Sequence, residues 1–434
     1  MIPVKNPLFY SISSEEPSNV NTAGLLRLTC LALSTAVAMA VTELGQAASD
    51  EGVSVEAAGA VGDGRTMNTA AIQAAIDGLA AKGGGTVVIP KGEFLSGALF
   101  LKPGVNLELR DGAVLKGSKR FDDFPVLKNA RFEGHFHDRV AALLNVEKSD
   151  GFRLTGPGTI DGNGEAYWNT KSPMGRPRLC AIRDSRNVVV SGVRFVNSPT
   201  WNLHLYNCQD SVVENSSFEI PDGAEGPSTD GVDIDSSQNV VVRGCYFRVN
   251  DDCVCLKGNR YDGLNQEPKS PPVQNVRVEN CAFDRGHGAL SLGTEAQVIS
   301  DVEMRDCVVR GNMPVLRIKF RPDTPNQDYR NVRVHHIRLE GTGGEIVRVS
   351  PTHGTKVAPL KAPISKVSNI VIENISGQFG AFGTLYGAAT ATVSDVTLRN
   401  IYVTVAKDAE LNTQGVVDLK IEDVSVQKGL PPGL

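Results

Sequence analysis

Four short polar motifs in this sequence contain residue types that transfer protons and bind anions. They are Ser228-Thr229-Asp230, Asp251-Asp252, Gly286-His287-Gly288 and Arg317-Ile318-Lys319. Among them are three carboxylates, of which one can protonate a leaving oxygen while another activates a water molecule. Carboxylates that lie close together raise each other's pKa, so one of the three would keep its proton near neutral pH. If the fold brings the motifs together, they form an acid–base site of the kind that hydrolyses glycosidic bonds.

Arg317 and Lys319 would give such a site affinity for a sugar that carries a carboxylate. The guanidinium can bind a carboxylate through two hydrogen bonds, and the ammonium acts as a point charge. A hydrolase of neutral sugars has no need for both cations. The whole chain has a net charge of −5, from 44 basic and 49 acidic residues, which excludes a general nucleic-acid binder. An anionic substrate would therefore depend on a local basic cluster.

A recurring phrase in the chain predicts the elements that would position these motifs. It consists of Asn or Asp followed by alternating aliphatic residues, and from position 187 onward it marks one coil after another. Alternation with β-branched residues predicts strands, and a repeat with a period of roughly 20–40 residues predicts a solenoid. The anchor residues of the phrase are Asn187, Asp210, Asn239, Asn275, Asp301, Asn331, Asn369 and Asp395.

The predicted fold class is all-β, with a single right-handed parallel β-helix. Six positions after the anchors, a column of small or aliphatic residues is expected between successive coils: Val193, Ser216, Cys245, Cys281, Cys307, Ile337, Ile375 and Ile401. The two-residue alternation excludes a helical solenoid, and the framework of a leucine-rich repeat is missing. The segment 69–81 has helical spacing at Ile72, Ile76 and Leu79, which predicts a short helix that caps the N-terminal end.

The repeat also predicts that the polar motifs meet. Asp251 follows the anchor Asn239 at the same offset at which His287 follows the anchor Asn275. The two residues are therefore expected in one column of consecutive coils, about 4.8 Å apart. Each motif alone is more often a turn or a solvated face, and it is the alignment in successive coils that favours a site.

The N-terminus and the cysteines predict an exported protein without disulfides. The apolar run 28–41, followed by Gln46-Ala47-Ala48-Ser49, is typical of a secretory signal, although a buried helix is the alternative interpretation. We expect residues 1–48 to be the signal and its n-region, 49–434 to be the β-helix domain, and the protein to be secreted or periplasmic. Removal of Cys30 would leave seven cysteines, and an odd number argues against a complete disulfide framework. Without a CxxC pair or a partner His, the cysteine column predicts buried thiols and no metal.

On these motifs the chain resembles the polygalacturonases of bacterial type, in family 28 of the glycoside hydrolases, over roughly residues 55 to 425. The family's motifs are Asn-Thr-Asp, Asp-Asp, Gly-His-Gly and Arg-Ile-Lys, and their counterparts occur here in the same order, with Ser228 in place of the Asn of the first motif. The stretches 59–66 and 83–90 also resemble the family. The resemblance implies a hydrolase of α-1,4-galacturonide bonds in pectic polysaccharide or oligogalacturonides, with no cofactor.

The resemblance also implies roles for the site residues. Asp251 corresponds to the general acid, and Asp230 and Asp252 correspond to the pair that activates water in a single displacement with inversion. His287 would tune or hold the protonation of the acid. Carboxylates one rung apart suit the shorter spacing of retaining enzymes better than the inverting spacing of about 6.5–9.5 Å. We follow the family and expect inversion.

Substrate contacts are implied at further positions. Arg317 and Lys319 correspond to the residues that bind the galacturonate carboxylate next to the scissile bond. Ser228 replaces the Asn of the family's first motif and loses the reach of the amide, which puts a substrate contact there in doubt. Three residues near the acids are additional candidates for binding the sugar chain: Trp201, His204 and Lys257.

Three other functions stay open at this point. A rhamnogalacturonan hydrolase of the same family is disfavoured by the presence of both cations. A Ca²⁺-dependent pectate lyase would use Asp230, Asp233 and Asp235 as ligands, which the Asp-Asp and Gly-His-Gly motifs argue against. A non-catalytic β-helix that binds carbohydrate would not need three adjacent carboxylates beside a polyanion.

The long segments 162–180, 258–272 and 351–363 (the last with His353) are expected to build the ends of a cleft. Such insertions can block a cleft, which favours an exo-acting enzyme. We expect a monomer that binds neither nucleic acid nor membrane, because a β-helix pairs its own strands.

Overall fold

The computed structural model describes residues 52–260, 271–321, 324, 326–351 and 365–429, and Gly52 onward forms one compact unit. The signal predicted at residues 1–48 lies outside the described residues, as do most of the segments 258–272 and 351–363. No helix within the described ranges combines the length and the apolar character needed to cross a membrane.

The described residues wind into a right-handed parallel β-helix, which confirms the predicted fold. One face is an 11-stranded sheet, called here the short sheet, in which each strand pairs in parallel with the strand of the next coil. Its strands are Leu99–Leu101, Leu144–Glu147, Cys180–Arg183, Leu203–Tyr206, Val232–Asp235, Asp252–Lys257, Gly288–Leu292, Leu316–Lys319, Glu345–Ser350, Ala381–Tyr386 and Leu411–Gln414.

The remaining coil strands form a 21-stranded sheet, called here the long sheet. Toward the C-terminus its strands lengthen to between 12 and 15 residues, with one long strand per coil. They are Val53–Ser54, Asp63–Met67, Gly85–Ile89, Gly92–Ser96, Val105–Leu109, Ala113–Gly117, Arg153–Thr155, Thr159–Asp161, Val189–Ser191, Arg194–Val196, Gln209–Glu214, Ser217–Glu219, Gln238–Arg243, Tyr246–Arg248, Val273–Glu279, Ala282–Arg285, Val298–Val309, Asp328–Glu340, Ser365–Phe379, Ala391–Val405 and Val416–Lys428.

The anchor residues of the repeat are Asn or Asp for a backbone reason. All eight have φ between 52° and 59°, the left-handed region that Asn and Asp tolerate better than other non-glycine residues. Their side chains also bond along the solenoid: the Asn275 amide donates to Asn239 Oδ1 at 2.8 Å, and the Asn239 amide donates to Asp210 Oδ1 at 2.8 Å. The phrase that marked each coil in the sequence is thus the turn that starts it.

The core between the sheets consists of columns of like residues. The predicted column at six positions after the anchors is buried throughout, and no member is more than 3 % exposed. Beside it, Phe195, Phe218, Phe247 and Phe283 stack on one another with ring centroids 4.9 to 5.1 Å apart. This spacing is the rung of the solenoid, and stacked aromatic rings stabilise it through their large buried area. All seven described cysteines are buried and free.

Two further elements cover the solenoid. The helix Thr69–Ala80 buries Ile72, Ala75, Ile76 and Leu79 against the first coils, which confirms the predicted N-terminal cap. An antiparallel hairpin, Val126–Phe132 with His135–Val140, lies over the short sheet. Short 3₁₀ turns occur at Val55–Ala58, Phe121–Asp123 and Gly164–Ala166.

Candidate active site

The polar motifs lie on, or directly before, four consecutive strands of the short sheet. The pairing of Val232 with Val254 places Asp230 beside Asp252, and the pairing of Asp252 with Gly288 places Asp251 beside His287. In the next rung, Ser291 pairs with Arg317. Because these strands are parallel and in register, residues that are far apart in the chain become neighbours about 4.8 Å apart.

Asp252 is the buried, ionised centre of the cluster. Its Oδ1 accepts hydrogen bonds from Ser291 Oγ (2.7 Å) and Arg317 Nη1 (3.2 Å), and its Oδ2 accepts from Lys319 Nζ (2.5 Å). Burial disfavours the charge, but Lys319, Arg317 and Lys257 together hold the pKa of Asp252 well below its usual range. Asp252 is therefore available as a base at any pH near neutrality.

Asp251 and His287 form the accessible edge of the cluster. Their side chains are 28 % and 60 % exposed, and His287 Nδ1 lies 3.1 Å from Asp251 Oδ1. The backbone also joins them, since the His287 N–H donates to the Asp251 carbonyl at 2.9 Å. The hydrogen bond to Asp251 raises the pKa of His287, so the imidazolium form is favoured beside that carboxylate. Asp251 is thus the member of the trio that faces solvent and an incoming ligand.

Asp230 is the carboxyl that keeps a proton in the ligand-free protein. It is 2 % exposed, and oxygens of Asp230 and Asp252 lie within 4.8 Å of each other. Burial and the charge of Asp251 raise the pKa of Asp230 to about 8, although Lys257 opposes this from 3.6 Å. Burial, together with the neighbouring charge, thus favours one retained proton in the cluster near neutral pH, which is compatible with the prediction from the sequence.

Asp233 is a fourth carboxylate beside this trio. It is fully buried, and neither of its oxygens has a hydrogen-bond partner among the described residues. Lys257 Nζ lies 3.6 Å from Asp233 Oδ1 and equally far from Asp230 Oδ2, so a single buried cation serves both carboxylates. Burial raises the pKa of Asp233 well above its usual value, with Asp230 adding to the effect.

Upstream of the trio, a buried ionic network joins the hairpin to the short sheet. Arg131 of the hairpin donates Nε and Nη2 to the two oxygens of Asp235, at 2.9 and 3.0 Å. His204 Nε2 lies 3.3 Å from Asp235, and His204 Nδ1 lies 2.5 Å from Arg178 Nη1. Because a guanidinium can only donate, Nδ1 must accept, and the imidazole is neutral with its proton on Nε2. Burial lowers the pKa of His204 to about 4 in agreement with this.

His204 and Trp201 are covered by protein. Both are 2 % exposed. Phe132 of the hairpin stacks on the Trp201 ring at 4.1 Å, and Lys257 Nζ lies 4.9 Å from the centre of that ring. The hairpin therefore occupies the face that a sugar would need in order to stack on Trp201.

Ser228 lies two residues before Asp230 in the left-handed region, with φ of 56°. Asn tolerates this region better than Ser does. The Ser228 carbonyl accepts a hydrogen bond from Thr200 Oγ1 at 3.2 Å, so the backbone there is tied to the preceding coil.

The cluster is poorly suited to a metal ion. Asp230, Asp252 and Cys255 offer ligand atoms within 4.8 Å of one another. Burial raises the pKa of Cys255 well above its usual value, so its sulfur stays protonated and is a weak ligand. Asp252 is already bound by Lys319 and Arg317, and a cation placed there would meet both charges.

The structure thus brings the four predicted motifs into one cluster and adds residues that the motifs did not reveal. Ser291 and Asp233 complete the surroundings of Asp252 and Lys257, and both occupy the column that contains Arg317. The sequence could have identified that column, because each of its residues has a fixed offset within its coil. Arg131 carried no such signal, since it reaches the sheet from a hairpin that lies far earlier in the chain.

Comparison with known proteins identifies the family and the fold of the chain. The family model described as glycosyl hydrolases family 28 matches residues 83–419. A probable polygalacturonase of Vitis vinifera is 30 % identical over 274 residues, which span 60 % of this chain and 55 % of that protein. An exopolygalacturonase of Zea mays is 25 % identical over 360 residues, 79 % of this chain and 74 % of that protein.

Among solved structures, the exopolygalacturonase of Thermotoga maritima superposes with a TM-score of 0.68. That match covers 85 % of this chain and 91 % of the other at 21 % identity, which is a likeness of fold. The family model spans more than three quarters of the chain and includes all four motifs. The chain belongs to family 28 of the glycosyl hydrolases.

Proposed function

We propose that this protein is a polygalacturonase that hydrolyses α-1,4-galacturonide bonds of pectic polymers from a chain end. The observation that carries the proposal is the trio Asp230, Asp251 and Asp252, which holds one proton near neutral pH beside the cations Arg317 and Lys319. The names of the grapevine and maize relatives support the same substrate. The proposal includes a monomeric protein that is secreted or periplasmic after removal of residues 1–48.

In the proposed mechanism, a single proton is shared by the trio. Burial raises the pKa of Asp230 most, and the charge of Asp251 raises it further. When the proton sits on the exposed Asp251, that second contribution is removed, and Lys257 at 3.6 Å supports the ionised form of Asp230. Asp251 then gives the proton to the leaving oxygen as the glycosidic C–O bond breaks. A water molecule attacks the anomeric carbon and loses its proton to Asp230 or Asp252, which restores the single proton of the trio.

His287 would hold Asp251 in this cycle. Its imidazolium donates to one carboxylate oxygen, which leaves the other oxygen free to carry the proton toward the substrate. Oxygens of Asp230 and Asp252 lie within 4.8 Å of each other, which is short enough for both carboxylates to contact one water molecule. We therefore assign the short spacing to Asp230 and Asp252, the two carboxylates that activate water, and expect inversion.

Arg317 and Lys319 would bind the substrate in addition to pairing with Asp252. Arg317 uses Nη1 for Asp252 and for the His287 carbonyl, both at 3.2 Å. A galacturonate carboxylate next to the scissile bond could bind the remaining guanidinium hydrogens. Rhamnose has no carboxylate to offer at this place, which is why galacturonan is preferred to rhamnogalacturonan as the substrate.

Exo action is supported by the hairpin. It covers Trp201 through Phe132 and is fixed by the Arg131–Asp235 pair, within one or two rungs of Asp230. A polymer that extended past Asp230 on this side would collide with it. We infer that the non-reducing end of the substrate stops there and that single residues are released.

The test is incubation of the full protein with polygalacturonate and with defined galacturonide oligomers. Reducing ends and the ultraviolet absorbance of unsaturated uronides are followed together. We expect reducing sugar without absorbance, galacturonic acid as the only small product, and loss of activity in Asp251→Asn but not in the exposed Asp111→Asn. Absorbance that a chelator abolishes would instead indicate a Ca²⁺-dependent lyase, and binding without products would indicate a carbohydrate-binding protein.

A further inference from the structure

A groove continues from the active site toward the C-terminal coils. It has a volume of about 330 Å³, and its lining begins at His287 and Arg317 of the proposed catalytic machinery. Beyond them it is lined by residues of the next coils, among them Asn312, Glu345, Arg348 and Lys407. The hairpin lies on the opposite side of the trio, so this is the direction in which a bound chain would leave the site.

The cation at the centre of this groove repeats the position of Arg317. Arg348 is the Cα partner of Arg317 in the next parallel strand of the short sheet. The two residues therefore point from the same face, one rung or about 4.8 Å apart. A ligand that runs along the short sheet would meet a guanidinium at both steps.

Arg348 is held in a way that leaves it free for a second anion. Its side chain is 43 % exposed, and Glu345 binds it side-on, through Nε (3.0 Å) and Nη2 (2.6 Å). That pairing orients the guanidinium but uses only two of its five hydrogens. Glu345 does not bind Nη1 of Arg348, and no other side chain of the described residues accepts a hydrogen bond from this nitrogen.

Small residues keep the floor of the groove open. Gly344 and Ala381 line it, and Gly344 has φ of 82° with its N–H bonded to Asn312 Oδ1 at 2.7 Å. A side chain at Gly344 would meet the Met313 carbonyl at 2.2 Å, so this part of the lining requires glycine.

We infer that this groove binds the carboxylate of a second uronic acid, two places from the cleaved bond on the leaving side, through Arg348 with Lys407 nearby. The inference rests on the proposed function, because that function assigns Arg317 to the first uronic acid on this side. It makes the enzyme selective for two consecutive free uronates after the bond. A neutral or esterified sugar in the second place would leave the guanidinium without a partner.

The experiment compares trigalacturonide with digalacturonide as substrates of the full protein, because only the longer one reaches the groove. A charge-assisted carboxylate bond is expected to make kcat/KM about tenfold or more higher for the trimer. In Arg348→Gln this ratio should fall to near one, with the change in KM rather than kcat. The matched control is Arg338→Gln, a 62 % exposed arginine paired with Glu340, in which the ratio should match the wild type.

A second substrate isolates the carboxylate itself. Trigalacturonide whose reducing-end carboxyl has been reduced to an alcohol should lose the wild-type advantage. An unchanged ratio in Arg348→Gln, or equal losses on both oligomers, would overturn the inference while the wild-type enzyme still hydrolyses both. If the wild-type protein hydrolyses neither oligomer, the proposed function fails first, and this inference fails with it.

Discussion

Replacing Asp230 with Asn should make the protein more stable, and by an amount that grows with pH. The carboxyl is buried, and its pKa is raised from 3.8 to about 8 by burial and by the charge of Asp251. A group with a raised pKa binds its proton more tightly in the folded state than in the unfolded state. Its contribution is fully present below the unfolded pKa of 3.8 and is lost as pH rises toward about 8. The amide has no proton to lose and removes this dependence.

The size of the effect follows from linkage. Each pH unit between the two pKa values changes the free energy of unfolding by about 1.36 kcal/mol. Between about pH 5 and about pH 7 the folded state keeps the proton and the unfolded state has lost it. The stability of Asp230→Asn relative to wild type should therefore rise by roughly 3 kcal/mol over this interval.

Urea unfolding followed by far-ultraviolet circular dichroism at the two pH values measures the change. The midpoint difference multiplied by the m-value gives the relative free energy of unfolding. Asp111→Asn, at an exposed turn position, is the control and should show the same difference from wild type at both pH values. If Asp230→Asn also behaves identically at both, the buried carboxyl holds no proton, and the reasoning on the trio is wrong.

Three other perturbations test separate parts of the structure. Lys319→Met removes the cation 2.5 Å from Asp252, so the pKa of Asp252 should rise. The acidic limb of the pH–kcat profile should then move to higher pH. An unmoved limb would exclude Asp252 as the base. Arg131→Met leaves the buried Asp235 without its guanidinium partner, so urea unfolding should show a loss of about 3–5 kcal/mol. The same variant should release longer oligomers from polygalacturonate if the hairpin closes the cleft, whereas monomer alone would contradict that role. Phe247→Ala removes a ring stacked between two others and should cost about 3–5 kcal/mol of stability in the same assay; a loss below about 1 kcal/mol would mean that the stack is not part of the core.

Repetition made the fold predictable from the sequence. Each Asn or Asp anchor marks a turn residue with a left-handed backbone, and the cysteine and isoleucine column marks the interior. These signals recur in one coil after another from position 187 onward, so the interpretation does not depend on any single residue. The capping helix Thr69–Ala80 was predictable because its apolar spacing of three and four residues differs from the alternation around it.

The convergence of the polar motifs followed from the same register. The shared offset from the anchors places Asp251 beside His287, as the pairing of Asp252 with Gly288 requires. What the offsets could not reveal is which neighbour satisfies each charge. Lys319 and Arg317 bind Asp252, whereas Lys257 lies between Asp230 and Asp233, and these choices depend on side-chain directions.

The cover over the site was not predictable in this way. Trp201 and His204 are candidates for sugar contacts by type and position, yet both are buried, and Phe132 of the hairpin stacks on Trp201. The contact of Arg131 with Asp235 joins residues 104 positions apart, through an element that does not follow the repeat. A departure from the repeat has no neighbouring copies from which its place can be inferred.

The measurement that tests the central claim most directly is the anomeric configuration of the first product. Trigalacturonide is mixed with the full protein, and proton NMR spectra are recorded before the anomers of the released galacturonic acid equilibrate. Water activated by Asp230 and Asp252 on the side opposite the leaving group predicts the β-anomer from the α-linked substrate. Initial release of the α-anomer would require a covalent intermediate on one of the three aspartates and would contradict the assignment of their roles.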